Sequence, residues 1–210
     1  MKKLIVLLAV LICLIAVPIQ AKDQPGTAAV TQFMLAADHS FWGKKDGHFS
    51  GYVYGCGLYN INDDYFGLFG YGGPKITLGK VNIYPMVVLY ADAYGWSTGP
   101  SLWAEYAAGK NYFFVEGDYY IPWLASSAGQ DVVLPPHQYY STAEYSRTLK
   151  DDVGLGFMFE VFGAFNEANP GELAFGPTFV FKKLKFWAFY DTTPLVDGDD
   201  IVGLRVKLTL

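Results

Sequence analysis

Covalent chemistry in this chain would need a base, and histidine is the side chain most often used for it. The histidines are His39, His48 and His137. In His48-Phe49-Ser50 a spacing of two puts an imidazole and a hydroxyl on one face of an extended strand, where a base could reach a nucleophile. Asp38-His39-Ser40 offers the three chemical types of a hydrolytic triad, but working triads are assembled from residues distant in the chain. No orienting acid can be assigned to His48 and Ser50, so no covalent chemistry is expected, and polarity at a rim is the plain reading of all three histidines. Asp197-Gly198-Asp199-Asp200 presents carboxylates of the kind that bind Ca²⁺, yet lacks the longer loop spacing of a recognised site, and reads as an acidic turn. Gly70-Tyr71-Gly72-Gly73 has the glycines of a phosphate cradle but no helix after it, which leaves a hairpin turn. Neither a metal nor any other cofactor is expected.

These residues must be held by something, and the ends of the chain begin to say what. Met1-Lys2-Lys3, an apolar run from Leu4 to Val17 and Pro18-Ile19-Gln20-Ala21 have the layout of a cleaved secretory signal. The run is short of the roughly 20 apolar residues of a membrane helix. Residues 1–21 are therefore assigned to a signal peptide and 22–210 to one domain. The formal net charge is −5, and becomes more negative once Lys2 and Lys3 leave, which argues against a nucleic-acid partner. Cys56 is the one cysteine left after cleavage; it reads as a small apolar strand residue. Aromatics make up 18% of the chain and charged residues only 17%, where about 25% charged is ordinary.

Apolar and polar residues alternate, which is the signature of a strand with two different faces. Val153, Leu155, Phe157, Phe159 and Val161 share one face against Gly154, Gly156, Met158 and Glu160. Val202, Leu204, Val206, Leu208 and Leu210 do the same against Gly203, Arg205, Lys207 and Thr209. The pattern predicts strands near 28–38, 48–59, 64–71, 74–80, 83–96, 100–109, 111–122, 137–148, 152–165, 172–182, 184–192 and 201–210. The division between the fourth and fifth is the least secure. With that count every second connector is tight (60–63, 81–82, 110, 149–151, 183), and the alternate set holds the long ones (39–47, 123–136, 166–171, 193–200) together with two short ones, Gly72-Gly73 and 97–99. Short turns at one rim and long loops at the other are the pattern of outer-membrane barrels. The three histidines then fall at the long-loop rim. Aromatic pairs near strand ends (Tyr119-Tyr120 with Trp123, Tyr139-Tyr140, Tyr94 with Trp96, Phe41-Trp42) read as interfacial girdles.

The chain resembles the bacterial outer-membrane β-barrel class over residues 28–210. Its ending, from Ile201 through Gly203 to Leu210, is similar to the C-terminal signal such proteins present to the barrel-assembly machinery, with Leu210 where that pattern usually has Phe. The resemblance implies an all-β fold: a single up-and-down antiparallel transmembrane β-barrel of about 12 strands, with 10 or 8 as alternatives. It also implies outer-membrane lipids and the assembly machinery as partners, in the outer membrane of a Gram-negative-type bacterium. The His48-x-Ser50 pair resembles that of outer-membrane lipid A deacylases, although those carry it on a late strand.

If the apolar face meets lipid, the alternate face meets the lumen. Glu105, Glu116, Asp118, Glu144 and Glu160 then form an acidic arc, and Lys182, Lys185, Arg205 and Lys207 a basic arc, with Lys182 and Lys185 flanking a tight turn. Opposed charged walls would orient small polar solutes; they could equally pair into a polar plug. The expected function is a porin-like channel for small solutes, with a plugged structural or surface-interaction barrel as the alternative and a lipid-modifying acyl enzyme as the third reading. The 123–136 loop is a candidate constriction.

Overall fold

The computed structural model describes residues 27–41, 48–61, 65–93, 95–125, 136–150, 152–165, 171–192 and 200–210. The signal at 1–21, most of the 123–136 loop and the Asp197–Asp199 part of the acidic cluster lie outside the described residues.

Among the described residues eleven strands close into one barrel: β1 (Thr27–Phe41), β2 (Phe49–Asn60), β3 (Tyr65–Leu78), β4 (Val81–Asp92), β5 (Gly95–Ala108), β6 (Asn111–Ala125), β7 (Gln138–Lys150), β8 (Val153–Ala164), β9 (Glu172–Phe181), β10 (Leu184–Thr192) and β11 (Asp200–Thr209). Strands adjacent in sequence pair antiparallel, and β1 closes on β11 in parallel, from Thr27 opposite Asp200 to Ala36 opposite Thr209. The parallel closure follows from the count. In an up-and-down barrel of odd number the first and last strands run the same way.

The closed all-β barrel is the expected fold, with a count of eleven rather than twelve, and the difference has one origin. Gly72-Gly73 is not a turn. It lies inside β3, with Gly72 opposite both Val53 of β2 and Val87 of β4. A Cβ at Gly73 would run into the Pro85 carbonyl oxygen and the backbone of Met86, so only glycine fits that close approach. The β3–β4 ladder skips residues 73–75 and resumes at Ile76–Ile83 in unchanged register. That register sets Pro74 opposite Pro85, two residues with no N–H to give. The actual hairpin is Gly79-Lys80, where Gly79 takes a φ of 65°.

Merging those strands moves the connectors that precede them to the other rim. The tight-turn rim holds Gly79-Lys80, Gly109-Lys110, residues 151–152 and Lys182-Lys183, together with the 42–48 connector. Each of these two-residue turns contains a positive-φ residue, among them Asp152 at 65° and Lys182 at 56°, as tight hairpins demand. The long-loop rim holds 126–137, 165–171 and 193–199, along with the shorter 61–64 and 93–94.

Alternation sets the two faces of the wall. Phe33, Leu68, Leu89, Leu102, Val115, Leu155 and Phe159 all point outward and are about half exposed. On the strands of the described residues, the outward charged positions are His39, Arg147, Lys150 and Asp200, all toward strand ends. The mid-height exterior is an uncharged apolar band.

Candidate functional site: the lumen

The inward faces of all eleven strands enclose one cavity of about 1070 Å³. Its lining reaches from Gln138, Glu172 and Asp191 at the long-loop end to Ser146, Lys183 and Thr209 at the tight-turn end. Two materials make the wall, one aromatic and one ionic.

The aromatic part covers β2 to β6. Tyr52, Tyr71, Tyr84, Met86, Val88, Trp103 and Tyr120 form a buried cluster, with Tyr54, Phe69, Tyr90, Phe114 and Tyr140 packed against it. Trp103 is its centre, with ring centroids 4.7 Å from Tyr71, 5.1 Å from Tyr54 and 5.5 Å from Phe114. The tyrosine hydroxyls are aimed at the acids of the same wall. Tyr84 and Tyr112 donate to Glu105 at 2.6 and 3.2 Å. Tyr71 and Tyr120 donate to Asp118 at 3.0 and 2.8 Å. Glu116 lies beside Asp118 and Tyr71. Hydrogen bonds of this kind let carboxyl groups sit in a largely apolar wall at tolerable cost.

The ionic part spans the lumen between the acidic and basic arcs. Glu144 of β7 pairs with Lys185 of β10. Glu160 of β8 pairs with Arg205 of β11 at 2.5 Å and also accepts from Tyr140 at 2.5 Å. Arg205 donates from Nε to the Gln32 side chain of β1 at 2.7 Å, and its guanidinium lies 4.8 Å from the Trp187 ring. Lys207 sits 5.1 Å over the Tyr54 ring and Lys75 5.4 Å over that of Tyr84, a placement that offsets part of the cost of taking an ammonium from water.

Glu105, Glu116, Glu144, Glu160, Lys182, Lys185, Arg205 and Lys207 line the cavity. Asp118 faces the same way but is buried within the wall, 5% exposed. Lys182 is exposed in its turn at the mouth, 5.6 Å over the Phe181 ring.

The aromatic wall was missed, although period two carries the signal. Trp103 stands two residues from Glu105, Phe114 two from Glu116, and Trp187 two from Lys185. Asp92, Glu172 and Asp191 are cavity-lining acids equally absent from the sequence reading. Cys56 also faces the cavity from β2. The aromatic doublets split between the two faces, with Tyr120 and Tyr140 inward. Tyr119 and Tyr139 turn outward, where each packs on Phe165 at the long-loop rim. Trp96 and Trp123 are exposed near the same rim.

The histidines divide between the rims, contrary to expectation, because the strand count moved the 42–48 connector to the tight-turn rim. His39 is exposed at the end of β1, and His48 donates from Nδ1 to the Thr77 carbonyl at 3.1 Å, which fixes its ring to β3. Ser50 points into the barrel, half-buried. His137 shares a 2.6 Å hydrogen bond with Tyr119 at the long-loop rim. Among the described residues no His, Cys, Asp and Glu side chains gather into a metal-binding group. No family model, curated protein or solved structure matches this chain.

Proposed function

We propose that the chain is an exported, outer-membrane-type barrel whose lumen passes small polar solutes. One observation carries this reading. A mid-height exterior free of charge surrounds a single cavity that every strand lines and that extends from one rim to the other. Exposed apolar surface on that scale is stable only against another apolar phase, and a closed barrel is the one β architecture that satisfies its backbone within lipid. The signal at 1–21 supports export, and the C-terminal strand is the element offered to the assembly machinery in an outer membrane of the Gram-negative type. Outward aromatics at both ends, Trp96, Trp123 and Tyr119 at one and Tyr106, Phe113 and Tyr145 at the other, suit headgroup depth.

A second reading, a plugged barrel serving a structural or surface role, is favoured by the Glu144–Lys185 and Glu160–Arg205 pairs, which bridge the lumen. Planar-bilayer recording separates the two. A channel gives discrete conductance steps, and Glu105→Gln, which removes a carboxylate from the cavity wall, shifts its cation-to-anion permeability ratio toward anions. Purified protein that inserts without conductance steps refutes the channel and leaves the plug.

A further inference from the structure

The charges of this barrel are sorted along its axis. At the tight-turn rim Lys80, Lys110, Arg147, Lys150, Lys182 and Lys183 are all exposed, against Asp38 and Asp152 among the described acids there. No ion pair ties these cations among the described residues. Lys110 reaches the Leu149 carbonyl at 3.4 Å and Lys182 the Phe181 ring, both weak contacts that a stronger anion displaces. The opposite rim has the reverse sign. Asp92, Glu172, Asp191 and Asp200 stand at its strand ends, and the sequence of its connectors contains acids but no Lys or Arg.

The basic ring is also continuous with the apolar band. Leu78 is exposed beside Lys80, Leu149 beside Lys150, and Tyr106, Phe113 and Tyr145 cover the wall next to Lys110 and Arg147. An ammonium on a four-carbon stem at the edge of an apolar wall is placed to meet a phosphate at headgroup depth. A soluble polyanion would engage the charges and leave that apolar edge uncovered.

Resting on the membrane reading above, we infer that the tight-turn rim is a docking surface for anionic phospholipid headgroups, with Lys80, Lys110 and Lys150, which lie outside the lumen lining, each facing a lipid phosphate. The acidic rim is repelled by the same lipids, so the two ends of the barrel prefer different leaflets. Lysines beside a membrane gain roughly 1 kcal/mol each on an anionic surface, about fivefold in lipid preference per contact.

The test uses the folded full chain in detergent, exchanged into equimolar phosphatidylglycerol and phosphatidylcholine, with retained lipids counted by native mass spectrometry. The wild type should retain phosphatidylglycerol over phosphatidylcholine severalfold at low salt, with the preference shrinking near 1 M salt. The threefold variant Lys80→Gln, Lys110→Gln, Lys150→Gln should lose most of it, and the matching threefold Lys→Arg variant should keep it. Equal retention of the two lipids by the wild type, or an undiminished preference in the Gln variant, overturns the inference. Failure to insert into pure phosphatidylcholine bilayers is a different result, and it overturns the membrane reading itself.

Discussion

Leu102→Arg is the substitution that best separates a barrel built for lipid from one built for water. Leu102 lies at the middle of β5, between Pro85 of β4 and Gly117 of β6, with its side chain outward and 56% exposed. The 14 residues of β5, at about 3.3 Å each and tilted near 45°, rise roughly 33 Å, enough to carry an apolar band about 25 Å tall with a margin at each rim. Leu102 therefore falls near the midplane, where an arginine facing lipid costs about 2–4 kcal/mol. Leu78 is as exposed, at 59%, but ends β3 at the tight-turn rim, where the same change should cost about 0–1 kcal/mol. On a water-exposed wall both would stay within about 0.5 kcal/mol of zero. Urea unfolding from phosphatidylcholine vesicles, followed by tryptophan fluorescence, measures both differences. A loss at Leu102 that exceeds the loss at Leu78 by about 2 kcal/mol supports the lipid-facing wall. Equal and negligible losses would refute it, however well the protein folds.

Two further outcomes follow from the interior. Arg205→Leu should cost about 3 kcal/mol, since it strands the Glu160 carboxylate inside the barrel; adding Glu160→Gln should recover part of that loss. A double-mutant cycle by urea unfolding reads the coupling, and a value under about 0.5 kcal/mol would mean that lumen water already screens the pair. Gly176→Ala should cost about 1–3 kcal/mol, because its Cβ would fall on the Ala188 carbonyl of β10, whereas Gly70→Ala meets nothing within 4 Å and serves as the control. Equal midpoints for the two alanine variants would contradict the packing.

Alternation made much of this molecule readable. Whether a side chain faces in or out depends only on local parity, so the face taken by Glu105, Glu116, Glu144, Glu160, Lys185, Arg205 and Lys207 does not depend on the strand count. The assignment of rims does. Gly72-Gly73 is a turn by local propensity, and only pairing with β2 on one side and β4 on the other holds it extended. Once that turn disappears, every earlier connector changes ends, which is why His39 and His48 stand at the tight-turn rim. The aromatic wall was hidden for another reason. Tyr52, Tyr71 and Trp103 repeat with period two like the outward-facing residues, and hydrophobicity alone does not say which parity faces inward. The pairing of Glu160 with Arg205, 45 residues apart, depends on how the barrel closes, which no local window contains.

Closure also gives Arg205 a structural meaning beyond charge pairing. The β1–β11 seam is parallel, and parallel ladders are slightly less stable per residue than antiparallel ones. It also joins the two ends of the described chain, so no hairpin holds its register. What reinforces it is local: the Leu210 N–H donates to the Ala36 carbonyl at 2.8 Å just past the last strand residue. In the lumen, Arg205 of β11 reaches across the seam to Gln32 of β1 while its guanidinium is held by Glu160 of β8. One side chain thereby ties the seam to a strand three places away around the wall. The polar network that narrows the lumen and the bond that keeps an odd-numbered barrel shut are then the same residues, and selection for a wider path at Arg205 would act against closure.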